Sequence, residues 1–219
     1  MAAVKRIAFG SAQAPPPPSK IIGIGRNYRA HAVELGNVAP EQEPMIFLKP
    51  ATAVVGPDAS VVLPPESSEV HHEAELAAVI NRVARNARAE DASQYILGYT
   101  AANDVTARDL QTKDGQGTRA KGFDTFCPLG PAIETELDPL ERLAIICRVN
   151  GDVRQAGFTS DMVFGVAEIF EFITSVMTLL PGDVILTGTP AGVGRINGGD
   201  NVEVEIDGIG TLSNPVVRR

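Results

Sequence analysis

The stretch Val70-His71-His72-Glu73-Ala74-Glu75-Leu76 places two carboxylates one residue apart, and a third, Asp104, follows in Asn103-Asp104. In an extended chain successive side chains point to opposite faces, so Glu73 and Glu75 would project side by side. Three carboxylate ligands form a hard oxygen site, which suits Mg²⁺, Mn²⁺ or Ca²⁺ better than metals that prefer sulfur or imidazole. The same stretch has a second reading. Leu76, Val79, Ile80, Val83 and Ala84 recur at helical spacing, and Ser67 or Ser68 could cap a helix ahead of them. On a helix residues two apart diverge, so the carboxylate pair would vanish. A bare Glu-x-Glu is also an ordinary solvated acidic face, and periodicity alone leaves these readings open.

Other reactive side chains occur in pairs. His31 and Glu34 lie between Gly25 and the Gly36-Asn37 stop, in a run of helix formers that would put them on one face. Without further support they read as an ordinary surface pair on a short helix. Thr106-Ala107-Arg108-Asp109 resembles a capping box, and the helix it would open places Arg108 and Gln111 on one face just beyond Asp104. Lys121 sits in a polar, glycine-containing segment. Two nucleotide-site readings fail. Gly23-Ile24-Gly25 lacks the third glycine of a dinucleotide fingerprint, and no Gly-Lys-Ser/Thr follows Leu186-Thr187-Gly188-Thr189-Pro190.

The elements that must position these groups read as α+β, mainly β. The chain has 219 residues, enough for one full core, and its 21 Gly and 16 Pro favour a turn-rich protein over a helical bundle. A net charge of −8 without a basic stripe sets nucleic-acid binding aside. No run approaches the roughly eighteen apolar residues of a membrane span, and no signal-peptide core opens the chain, so a cytoplasmic protein is expected. Cys127 and Cys147 are expected to be reduced and partly buried. Residues 1–20 read as a strand over 4–9 and a proline-rich connector at 15–18, ahead of a domain over 21–219. In that domain strands are expected at 21–24, 45–48, 60–63, 97–105, 143–149, 153–158, 183–186, 202–206 and 209–216. Helices are expected at 90–95 and 164–180. Asn150-Gly151 is the strongest hairpin signal.

Taken together, G-R-N-Y-R-A-H-A-V-E at 25–34, F-L-K-P at 47–50, V-H-H-E-A-E-L at 70–76, N-D-V-T-A-R-D-L-Q at 103–111, Lys121, N-G-D-V-R-Q at 150–155 and L-T-G-T-P-A-G-V-G at 186–194 resemble the fumarylacetoacetate hydrolase family. The nearest branch is the single-domain acylpyruvases and oxaloacetate decarboxylases. The resemblance implies strand at 70–76 and mixed, mostly antiparallel β-sheets rolled around a core with a few short helices. It also implies a homodimer, with Mg²⁺ or Mn²⁺ on Glu73, Glu75 and Asp104. His31 and Glu34 match an acid–base pair on a mobile lid, with Lys121 as a third catalytic group. Arg26, Lys49, Arg108, Gln111 and Thr189 match the substrate-facing set. The implied reaction is cleavage of an acylpyruvate, a small anionic 2-oxo acid, to pyruvate and a carboxylic acid, with oxaloacetate decarboxylation beside it. Isomerisation or tautomerisation of an enolisable 2-oxo dicarboxylate is the alternative. Fumarylacetoacetate itself is not the expected substrate, because the family's larger namesake carries an N-terminal domain with no counterpart here.

Overall fold

The computed structural model describes residues 6–8, 11–138 and 142–218. Its main sheet has eight strands. Seven run in the order Arg6–Ala8, Cys127–Glu134, Ile96–Asn103, Ala74–Ile80, Val184–Leu186, Ile21–Gly25 and Met45–Lys49, with Val54–Val55 beside Cys127 and Pro128. A five-stranded sheet runs Asp152–Phe158, Ala144–Val149, Asn201–Ile206, Gly210–Arg218 and Val61–Leu63. Most pairings are antiparallel; Val184–Leu186 runs parallel to Ile21–Gly25. This is the α+β, mainly β architecture expected.

The core lies between the sheets and is closed by a helix, Val166–Val176. Leu76, Ala78 and Ile80 of the main sheet share one buried cluster with Ile145, Val204 and Leu212 of the second and with Phe170 and Ile173 of the helix. In Asn201–Ile206 the alternate residues Val202, Val204 and Ile206 are buried, as the period-two pattern predicts. Asn150 and Gly151 both take positive φ, 54° and 85°, the requirement of a type I′ hairpin turn.

Residues 70–80 resolve as strand, in two pieces. Val70–His72 belongs to a small sheet with Thr106–Ala107 and Gly194–Arg195, and the chain enters the main sheet only at Ala74. The helix-like spacing misleads because every residue of Ala74–Ile80 is buried, so the run is apolar on both faces and carries no strand period. Ser67 and Ser68 cap no helix there; both hydroxyls bond the Asp109 carboxylate.

Other boundaries differ from expectation for local reasons. Thr106 is in a strand, and its hydroxyl donates to the Asp104 carbonyl, so the helix starts at Arg108 and runs to Asp114. The long helix ends at Val176, because Met177 turns extended and Leu179 bridges to Ala84. The helix that carries His31 and Glu34 is shorter than its run of helix formers and spans Arg29–Glu34. Gly36 N–H donates to Val33 O and Asn37 N–H to Ala32 O, the paired bonds of a Schellman stop. The 4–9 strand spans Arg6–Ala8 among the described residues; Val4, Lys5 and Phe9 lie outside them. Cys127 and Cys147 are unbridged and fully buried, and burial pushes both thiols up to about 12. Among the described residues no helix is long and apolar enough to cross a membrane.

Candidate active site

Glu73 occupies the seam between the small sheet and the main one. Its N–H donates to the Asn103 side chain at 3.0 Å and its carbonyl accepts from Asp104 N–H at 2.8 Å, so one side-chain and one backbone bond stitch the two acidic segments together. Glu75 pairs with Ala102 one step into the sheet. Oxygens of Glu73, Glu75 and Asp104 all lie within 4.8 Å of one another, and all three residues are buried.

Three cations surround the three carboxylates. Lys121 Nζ donates to Glu73 Oε2 at 3.0 Å, to Thr106 Oγ1 at 2.8 Å and to Asp104 Oδ2, and it lies 4.5 Å from the centre of the Phe47 ring. Arg108 donates to Glu73 Oε1 and, at 2.7 Å, to Gln111 Oε1. Lys49 Nζ donates to Asp104 Oδ1 at 2.6 Å and to Val105 O at 3.2 Å. Glu75 differs from its neighbours. Its one hydrogen bond among the described residues comes from Gly188 N–H at 2.6 Å, where φ of +100° turns the amide toward the carboxylate.

The charges follow this geometry. Burial raises the Glu75 carboxyl well above the usual range, and the nearby Asp104 and Glu73 charges push it further. Burial would raise Glu73 too, but Lys121 and Arg108 outweigh it and hold Glu73 well below that range. Burial would lower Lys121; Asp104 and Glu73 reverse this and raise it. The donor set fits a divalent hard cation, since it offers three clustered carboxylates, one of which has no cationic partner among the described residues.

His31 and the triad border one cleft of about 720 Å³, with Arg26, Arg108, Gln111, Lys121 and Thr189 also on its wall. His31 Nδ1 meets Glu34 Oε2 at 3.3 Å, and Glu34 Oε1 accepts from Gly192 N–H at 2.9 Å. Glu34 therefore stands behind His31 and not on the wall itself. Arg26 is exposed at the mouth with φ of +58°, a conformation few side chains adopt.

One expected substrate contact is corrected. Lys49 does not face the cleft; its side chain is 0% exposed and backs Asp104 from the far side, because it ends an edge strand whose last residue turns inward. Sequence reasoning also missed the Gly188 amide, the Thr106 hydroxyl and Phe47 under Lys121. Phe47 and Gly188 sit in segments already notable as F-L-K-P and L-T-G-T-P, which was the available signal.

The fumarylacetoacetate hydrolase C-terminal family profile matches residues 20–217. The chain belongs to this family. Within it, a mitochondrial oxaloacetate tautomerase of Xenopus laevis is 48% identical, over 91% of this chain and 66% of that protein. A crystal structure of a 5-carboxymethyl-2-hydroxymuconate delta-isomerase from Mycobacterium smegmatis superposes with a TM-score of 0.87 at 55% identity, over 94% of this chain and 81% of the other. A fumarylpyruvate hydrolase from Pseudomonas aeruginosa, solved with Mn²⁺ and pyruvate, superposes with a TM-score of 0.89 at 33% identity, over 100% and 99%. The chain is thus similar to isomerases, tautomerases and hydrolases within the one family.

Proposed function

We propose that this family member moves a proton at C3 of an enolisable 2-oxo dicarboxylate, as an isomerase or tautomerase. The observation that carries the reading is that His31, backed by Glu34, and the buried triad with Lys121 face one cleft. A Mg²⁺ or Mn²⁺ held by Glu73, Glu75 and Asp104 would supply a Lewis acid for the carboxylate and 2-oxo oxygen of the substrate. The chain's own groups do the rest. Lys121 presents a fixed positive charge where the enolate oxygen develops, already oriented by three hydrogen bonds. In the keto-to-enol direction His31 takes the C3 proton and the C–H electrons form the C2=C3 bond. The carbonyl electrons pass to the 2-oxo oxygen, and that oxygen takes a proton from solvent. The reverse direction gives the oxygen's proton back to solvent and returns the His31 proton to C3, with Glu34 orienting the ring. Arg108 and Arg26 offer guanidinium groups to the carboxylates of a dianion, one beside the triad and one at the mouth. The greater identity to the isomerase and tautomerase relatives, 55% and 48% against 33%, favours this reaction.

C–C hydrolysis is the second reading, supported by the full-length match to the fumarylpyruvate hydrolase. There His31 would take a proton from the water that adds to the distal carbonyl. The C3–C4 bond then breaks, its electrons pass to the 2-oxo oxygen, and pyruvate enolate and a carboxylic acid result. Loss of CO₂ from oxaloacetate gives the same enolate without water. By the family resemblance we also take the chain to be a homodimer, which its mass in solution tests.

The deciding experiment follows enol absorbance of oxaloacetate and fumarylpyruvate with Mn²⁺ and after chelation, with pyruvate assayed in parallel. Chelator-sensitive interconversion of enol and keto oxaloacetate without pyruvate supports the first reading. Stoichiometric pyruvate from fumarylpyruvate replaces it with the second.

A further inference from the structure

The N-G-D-V-R-Q segment has work left unexplained once its turn is accounted for. It ends in Gln155, a fully buried amide on the strand Asp152–Phe158 of the second sheet. We propose that Gln155 is a positioning residue that locks the triad's strand and the loop supporting the His31–Glu34 pair to each other.

Gln155 makes four hydrogen bonds. Its Oε1 accepts from Ala74 N–H at 3.0 Å and from His72 Nδ1 at 2.9 Å, and its Nε2 donates to Thr189 Oγ1 and to Pro190 O, both at 2.7 Å. The Ala74 donor and the Pro190 acceptor admit only one orientation of the amide, and that orientation requires the proton of His72 to sit on Nδ1. The Thr189 hydroxyl, accepting from Gln155, must donate to Ala74 O at 2.8 Å. Ala74 lies between Glu73 and Glu75, so both of its peptide groups are tied to this ring.

The ring reaches the other end of the cleft through the same loop. Gly157 lies so close to Pro190 that an added Cβ would come within 2.5 Å of its ring. Two residues beyond Pro190, Gly192 N–H holds Glu34 Oε1. One side chain from the second sheet therefore braces the backbone between two metal-site carboxylates and the turn that supports the acid–base pair. This inference rests on the proposed reaction for its kinetic readout but not for its metal readout.

The test compares Gln155→Leu and Gln155→Glu with wild type, measuring Mn²⁺ affinity by calorimetry, kcat and KM on oxaloacetate, and Tm. For Gln155→Leu we expect about tenfold weaker Mn²⁺ binding and kcat lowered about 10–100-fold with KM little changed, the scale of losses when supporting contacts of a metal site are removed. Gln155→Glu keeps both acceptor contacts and loses both donors, so Mn²⁺ affinity should hold while kcat falls. A Gln155→Leu protein with lower Tm but wild-type kcat and Mn²⁺ affinity overturns the proposal, leaving a purely structural amide. If Gln155→Leu does not fold, wild-type kcat in Gln155→Glu overturns it equally. A wild type that binds Mn²⁺ without acting on oxaloacetate defeats the reaction reading alone, and the affinities of the variants still decide the role of Gln155.

Discussion

The two ends of the cleft are built differently. At the triad, the side chains of Glu73 and Asp104 are 5% and 1% exposed, both residues sit at junctions between paired strands, and each of these two carboxylates is held by two cations. At the His31–Glu34 pair, the two side chains are 7% and 30% exposed and the helix that carries them is six residues long. A helix that short has little stability of its own and depends on its contacts. The pair is tethered by single hydrogen bonds at 3.3 and 2.9 Å. The contrast teaches that the carboxylate cluster is held by paired buried charges, while the His31–Glu34 pair is held by two single hydrogen bonds and a short helix.

The sharpest way to break this contrast is to remove a ligand. Glu73→Ala should take Mn²⁺ binding below detection by calorimetry and turnover to background, and an active variant without metal would remove the triad from the mechanism. His31→Ala comes next. It should cut turnover by about 10²–10⁴-fold, the usual contribution of a general base, while Mn²⁺ affinity stays at the wild-type value. A parallel loss of metal would mean that the two ends are not separable.

Lys49→Met tests the corrected placement. Breaking a buried ion pair costs about 3–5 kcal/mol, so denaturant midpoints should fall and Mn²⁺ affinity change, with KM unmoved. A raised KM alone would return Lys49 to the substrate. The smallest effect is on pH. Burial and the adjacent carboxylates raise the Glu75 pKa, so below that raised pKa a cation must displace the Glu75 proton to bind. Mn²⁺ affinity should therefore rise with pH, by up to about tenfold per unit, and level off once Glu75 ionises unaided. A flat profile would mean that Glu75 is already charged or is not a ligand.

Much of this arrangement is legible in the residues. Helical spacing puts His31 and Glu34 on one face, though only the family resemblance makes them a functional pair, and the Gly36-Asn37 stop falls where the composition predicts. Glu-x-Glu and Asp104 suggest a hard cation, but only the strand assignment makes them a site. That assignment was beyond periodicity, because a strand buried on both faces loses its alternation. Lys49, Gln155 and the Gly188 amide were hidden for another reason. Their roles depend on which distant strands become neighbours, and a side chain's direction at the end of a strand follows from sheet register, which no local pattern encodes.

The strand Ala74–Ile80 is buried throughout and carries alanine at 74, 77 and 78. Larger side chains there would overpack a filled interior, at about 1–3 kcal/mol each. For anyone wishing to redirect the enzyme to another substrate, this strand is closed ground. A library belongs at the mouth, where Met45 and Leu48 are exposed and Gln116 and Thr118 also line the cleft.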